Sequence, residues 1–286
     1  MRDASAAPEA RPDAASLRTL RIVRRSLVLL LLVGVAALPA GAAVSGCSAR
    51  DAGARPSLTA LAAASLTEAF REAAARYDAA DVRLSFGGSQ ALAAQVEQGV
   101  PADVVATADE PTMARLRSAG LVDTPRPLAA NRLVIVVPRG NPRGIAAASD
   151  LARPGLAVVL AAPQVPAGRY TALALARAGV RVTPRSLEES VRGVTTKVGL
   201  GEADAGIAYA SDVAADAAHL ASVPLPQAPL ARYLVATTRA SRQPAAARDL
   251  VDFLTSAAGR RLLAARGFAP AVTPPVSPPV TAPVPR

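Results

Sequence analysis

The stretch SLTALAAASLTEAFREAAARYDAADVRLSFGGS, from Ser57 to Ser89, sets the pattern of the chain. Ser57 to Ala62 is a short apolar run of the kind a buried strand needs. Leu66, Ala69, Phe70, Ala73 and Tyr77 then recur at intervals of three and four, which predicts a helix from Leu66 to about Asp78. Val82 to Phe86 reads as the next strand, and Gly87-Gly88-Ser89 leads into the next helix.

The alternation continues outward. Helices from Gln90 to Gln98 and from Pro111 to Ala119 stop at Gly99 and Gly120, with a strand from Asp103 to Thr107 between them. Leu133 to Val137 and Leu156 to Leu160 read as strands, and helices from Gly168 to Ala178 and Ser190 to Leu200 stop at Gly179 and Gly201. Ala205 to Tyr209, Ala221 to Val223 and Arg232 to Ala236 are further strands; Asp212 to Ala217 starts a helix, and Pro244 to Ala265 holds the last helices. Strands separated by helices of this length predict an α/β architecture of parallel sheets covered on both faces. The body, residues 57–269, accommodates two such units, the chain passing between them near Ala130 and again near Pro226.

The strand-to-helix junctions are the places where a ligand collects in such sheets, because helix N-termini present unpaired amides there. Ser65-Leu66-Thr67-Glu68 has the form of a capping box, with Ser65 at the N-cap. At Gly87-Gly88-Ser89 two glycines allow close backbone approach and Ser89 offers a hydroxyl at a helix start. A plain helix cap accounts for Ser65 and a plain turn for the second site. Together, two such serines would aim two hydroxyls and several amides at one place, a neutral nest suited to an oxyanion.

The chain has 286 residues and a formal charge of +10, but only one Cys, one His and no Trp. Cysteine and histidine are too few for a Cys/His zinc site or a disulfide, Cys47 and His219 stand 172 positions apart, against a cysteine protease dyad, and 3% aromatics argue against stacking on single-stranded nucleic acid. Lys197 is the sole lysine among 32 basic residues, and the arginines are scattered rather than clustered, so the charge does not mark a nucleic-acid surface. His219 stands in an Ala-rich segment without a nucleophile beside it, and no Gly-x-Ser-x-Gly elbow is present. No enzymatic role is expected. Tyr77, Tyr170, Tyr209 and Tyr233 are dispersed in sequence, against the clustered tyrosines of an iron carrier.

The N-terminal residues 1–47 read as an export signal. Arg18, Arg21, Arg24 and Arg25 precede the uncharged run Leu27 to Val44, which ends in Val44-Ser45-Gly46-Cys47. That ending resembles a bacterial lipobox, in which Cys47 becomes the lipidated first residue and ties the protein to a membrane. An uncleaved transmembrane anchor is the alternative, and Arg24-Arg25-Ser26-Leu27 partly resembles a twin-arginine signal. Removing residues 1–47 leaves a charge of +7. Residues 48–56 read as a linker, and residues 270–286, with prolines at 270, 274, 275, 278, 279, 283 and 285, as an extended tail outside the fold.

Six motifs in order then carry a resemblance: Leu61-Ala62-Ala63-Ala64-Ser65-Leu66-Thr67, Phe86-Gly87-Gly88-Ser89, Gly99-Val100-Pro101-Ala102-Asp103, Val165-Pro166-Ala167-Gly168, Ser190-Val191-Arg192 and Gly206-Ile207-Ala208-Tyr209. From about Leu58 to Phe268 the chain resembles the molybdate-binding proteins of bacterial ABC importers. The resemblance implies a two-lobed type II periplasmic-binding-protein fold, with residues 57–130 and 227–269 in one lobe and 131–226 in the other. It implies molybdate or tungstate as ligand, held by Ser65 and Ser89 through hydroxyl and amide, by Ala167 and Val191 through backbone amides, and by Tyr209 through its hydroxyl. It also implies a monomeric receptor outside the cytoplasmic membrane, no cofactor, no direct protein ligand to the metal atom, and an ABC permease with its ATPase as partners. Gln90-Ala91 departs from the family, where many relatives carry further Ser or Thr. Sulfate or thiosulfate is the rival ligand, and a cell-surface lipoprotein without a transport role is the rival class. The residues agree with the anion reading, since Pro166 and Val191 both stand at expected helix starts, where amides are free.

Overall fold

The computed structural model describes residues 55–271. The expected export signal with Cys47, the linker up to residue 54 and the tail from residue 272 lie outside the described residues.

The chain first runs through β1 (Ser57–Ala63), a three-residue 3-10 turn (Ala64–Leu66), α1 (Thr67–Ala75), β2 (Asp81–Gly87), α2 (Ser89–Glu97), β3 (Val104–Thr107), α3 (Glu110–Ser118) and β4 (Arg126–Asn131). It continues through β5 (Leu133–Pro138), β6 (Val158–Ala161), α4 (Pro166–Ala178), β7 (Ser186–Glu188), α5 (Val191–Gly199), β8 (Ala205–Tyr209), α6 (Ala210–Ala215) and β9 (Leu220–Pro224). It returns with β10 (Ala231–Thr237), α7 (Pro244–Thr255) and α8 (Ala257–Ala265). Two five-stranded sheets result, with strand orders β2-β1-β3-β10-β4 and β7-β6-β8-β5-β9.

The sheets are mixed, not wholly parallel as the alternation predicts. β1 is parallel to β2 and β3, and β6 to β7 and β8, because helical crossovers join them. β10 is antiparallel to β3 and β4, and β5 to β8 and β9. β4 and β5 are joined through Arg132 across the waist and β9 leads back into β10, so no crossover helix imposes a direction on these strands. The waist is tied by Asn131, whose Nδ2 donates to Ser211 Oγ at 2.7 Å, and by the Ala210 amide on the Arg132 carbonyl at 2.9 Å.

The side-chain alternation of β1 explains why both faces of the first sheet are covered. Leu58, Ala60 and Ala62 join Phe70 and Ala73 of α1 and Leu250 and Leu263 of the last helices in one core. Leu61 points the other way, with Val105 of β3, to meet Leu92 and Val96 of α2 and Met113 and Leu116 of α3. A Cβ on Gly168 would stand 2.0 Å from the Ala162 carbonyl oxygen, so only glycine lets the first turn of α4 rest on the end of β6.

The stretch from Pro244 to Ala265, read as the last helices, divides at Ser256. Ser256 takes an extended conformation and caps α8 by accepting from the Gly259 amide at 3.2 Å.

Candidate functional site

A small cavity lies between the two sheets at the helix starts. It is lined by Ala63, Ala64 and Ser65 after β1, by Gly87, Gly88 and Ser89 after β2, and by Ala108 after β3. From the second sheet come Val165, Pro166 and Ala167 at the start of α4, Ser190 and Val191 at the start of α5, and Tyr209 at the end of β8. All five residues singled out in the sequence, Ser65, Ser89, Ala167, Val191 and Tyr209, therefore line one space. The volume open to the centre of a water-sized sphere is about 10 Å³.

Local geometry departs from the capping pattern at both serines. Ser65 does not cap a helix: it sits inside the 3-10 turn, with Ala63 at the turn's N-cap, and α1 starts at Thr67. Thr67 Oγ1 donates to the Ala64 carbonyl at 2.6 Å, and the tight turn frees the Ser65 hydroxyl, which lies 2.8 Å from the Tyr233 hydroxyl. Glu68 is likewise no partner in a capping box, because its carboxylate accepts from Arg192 at 2.9 Å. Ser89 is the first residue of α2 and Gly88 is the cap. The Ser89 Oγ accepts from the Ala108 amide at 3.0 Å, which leaves its own hydrogen for the cavity.

The second sheet contributes amides. Ala167 is the second residue of α4, after Val165 at the N-cap and Pro166, and the first intrahelical bond is made by Arg169 to the Val165 carbonyl. Val191 opens α5 behind Ser190, whose Oγ accepts from Gly193 N at 3.4 Å. Amides in a helix's first turn have no partner in their own helix and carry the positive end of its dipole.

Tyr209 is 1% exposed and its hydroxyl has no hydrogen-bond partner among the described residues. Burial holds its phenol well above the ordinary range, and Tyr233, Tyr170, Asp212 and Asp109 push the same way, so it stays a neutral donor. Tyr209 and Tyr233 stack edge to face at 5.7 Å. Two of the four tyrosines dispersed in sequence are thus adjacent in space.

No charged residue lines the cavity. The charges around it are paired across the cleft. Arg169 of α4 pairs with Asp109 at the cap of α3 and donates to Thr112 Oγ1 at 3.1 Å; Arg192 of α5 pairs with Glu68 of α1. Gln90 adds a third bridge, donating through Nε2 to the Glu189 carbonyl at 3.0 Å. The position at which Gln90 departs from the family thus joins the two sheets. Asp109, Arg169, Gln90 and Tyr233 carry no local sequence signal, since their partners lie far away along the chain. A larger groove, about 580 Å³ by the same measure, runs between α4 and β7, but Leu160, Leu173, Leu175 and Leu187 make it apolar.

The bacterial extracellular solute-binding protein family matches residues 58–269. The molybdate-binding protein ModA of Mycobacterium tuberculosis is 39% identical over 84% of this chain and 94% of its own length. ModA of Escherichia coli is 34% identical over 60% of this chain and 72% of its own. Among solved structures, the sulfate-binding protein SubI of Mycobacterium tuberculosis superposes with a TM-score of 0.70 at 25% identity, covering 76% of this chain and 87% of that one. The two-sheet architecture, the cleft of helix starts and these similarities place the chain in one family: it belongs to the bacterial extracellular solute-binding proteins.

Proposed function

We propose that this protein captures molybdate, or its larger congener tungstate, between two lobes made of residues 57–130 with 227–269 and of residues 131–226. Ser65, Ser89 and Tyr209 donate hydroxyl hydrogens and Ser65, Ser89, Ala167 and Val191 donate amides. The observation that carries this reading is the neutral cavity itself, on which these five residues from both sheets converge. The 39% identity to a molybdate-binding protein supports the choice of anion.

The mechanism follows from the donors. A dianion transferred from water must recover its lost hydration, and only the closed form lets both sheets donate to it at once. Binding therefore drives closure. Neutral donors hold the anion without an ion pair, whose desolvation would oppose release to a permease and its ATPase. The protein performs no chemistry on its cargo. Lipidation at Cys47 keeps it at the outer face of the membrane, within reach of that permease.

Calorimetric titration of the purified protein with molybdate, tungstate, sulfate and phosphate tests the reading. Molybdate and tungstate are expected to bind at least about tenfold more tightly than the other two, a difference near 1.4 kcal/mol. Stronger sulfate binding would reassign the cargo, and equal weak heats for all four would reject an oxyanion.

A further inference from the structure

The hydrogen of Ser65 is directed by a residue from the far end of the chain. Tyr233, on β10, is 1% exposed and brings its hydroxyl to 2.8 Å from Ser65 Oγ. Its ring is wedged edge to face between Tyr209, at 5.7 Å, and Phe268, at 5.3 Å. The pairing of β10 with β4 shifts register between Tyr233 and Leu234, an irregularity of the kind that re-aims a side chain. The backbone and two aromatic rings therefore fix where the Tyr233 hydroxyl stands.

A serine hydroxyl has one hydrogen. If Ser65 gives it to Tyr233, only lone pairs face the cavity, and lone pairs repel an anion. If Tyr233 donates instead, the Ser65 hydrogen is left for the anion. At Ser89 the matter is settled by chemistry, because its neighbour is the Ala108 amide, which can only donate. Burial and the nearby Asp212 carboxyl keep Tyr233 protonated, although the polar groups of Ser65, Asn131 and Tyr209 around its hydroxyl pull the other way.

We propose that Tyr233 is a positioning residue of the anion site: its hydroxyl donates to Ser65 Oγ and commits the Ser65 hydrogen to the bound anion. The proposal rests on the reading of Ser65 as an anion ligand. It makes both serines donors to the anion, each with one lone pair engaged by the protein.

The test is a double-mutant cycle, read by calorimetric titration with molybdate. Tyr233→Phe keeps the ring and removes the donor, and is expected to weaken binding about three- to tenfold. In the Ser65→Ala background the same change is expected to cost nothing further. An equal loss in both backgrounds would assign Tyr233 to packing alone, and no loss in either would remove it from the site. A Ser65→Ala protein that binds like the parent would overturn the ligand reading of Ser65, and with it the role of Tyr233. If Tyr233→Phe does not fold, 3-fluorotyrosine at position 233 provides a stronger donor of nearly the same shape. Tighter binding would then support the proposal and unchanged affinity would overturn it.

Discussion

Arg169, three residues into the first turn of α4 after Pro166, reaches across the cleft to the carboxylate of Asp109, which is 1% exposed at the cap of α3. Asp109 already accepts from the Thr112 amide at 3.3 Å, so one carboxylate both starts a helix and clasps the other sheet. A buried carboxylate without its cation is costly, and this pair favours the closed form. Arg169→Ala is therefore expected to populate the open form and weaken molybdate binding. The Arg169 side chain is 35% exposed, so screening limits the effect to about 1 kcal/mol, or near fivefold. Calorimetry gives the affinity, and small-angle scattering of the free protein is expected to show a larger radius of gyration than the parent. An unchanged radius and affinity would mean that the pair does not hold the cleft.

Two glycines near the cavity separate closure from folding. A Cβ on Gly88 would stand 2.5 Å from the Glu189 carbonyl, on the opposite sheet, whereas one on Gly168 would meet the Ala162 carbonyl of its own sheet at 2.0 Å. Gly88→Ala is expected to leave the melting temperature of the ligand-free protein near that of the parent and to weaken molybdate binding by at least about fivefold, since overpacking of about 1–3 kcal/mol falls on the closed form alone. Gly168→Ala imposes its cost on the fold, so its melting temperature drops with or without ligand. The reverse pattern would show that Gly88 serves the local turn.

These glycines mark the limit of what the sequence made legible. Helix ends were readable because Gly99, Gly120, Gly179 and Gly201 take positive φ just past helices whose periodicity was clear. β4 was not, since Arg126-Pro127-Leu128-Ala129-Ala130-Asn131 has no β-branched residue and carries a proline. Ser65 and Ser89 are marked by motifs at junctions, and Ala167, Val191 and Tyr209 by the family resemblance, but nothing along the chain shows why each would point inward. Ser65 looked like a cap because Glu68 follows three residues later; its true partner is Tyr233, 168 residues away. No pattern along the chain shows a bond of that span, nor the pairing of Arg192 with Glu68 that removes Glu68 from its expected role.

Asp212 makes stability depend on pH. Its carboxyl is buried behind Tyr209, accepts from the Tyr209 amide at 3.2 Å, and is pushed up to about 7 by desolvation, with that amide and Arg192 pulling the other way. A carboxyl whose folded value lies above its unfolded value of 3.8 binds its proton more tightly in the folded state. Stability from this group therefore falls as pH rises from about 4 to 7 and is level above. Asp212→Asn removes the ionisation and keeps an acceptor for Tyr209. Its unfolding free energy relative to the parent is expected to improve between pH 4 and 8, by on the order of 4 kcal/mol at most. Urea titrations of both proteins at the two pH values give this difference. A constant difference would mean that Asp212 stays in one protonation state throughout.

The donor-rich cavity predicts which anions are refused. Ser65 and Ser89 turn their lone pairs to Tyr233 and the Ala108 amide, Tyr209 remains protonated, and the other contributions from Ala167 and Val191 are amides. Molybdate, tungstate and sulfate are fully deprotonated at neutral pH, so each oxygen can accept. Phosphate between pH 6 and 8 keeps at least one O–H, and among hydroxyls and amides committed as donors to the anion that hydrogen is left poorly paired. A buried hydrogen left unpaired costs about 1–3 kcal/mol, so phosphate is expected to bind at least about fivefold more weakly than a fully deprotonated anion of its own size, such as sulfate. The penalty grows as a second proton is added, and competition titrations at pH 6 and pH 8 are expected to show weaker phosphate binding at the lower value. Phosphate binding that matched sulfate at both values would require an acceptor within the site, such as a lone pair of the Tyr209 hydroxyl or a reversed hydroxyl at Ser65.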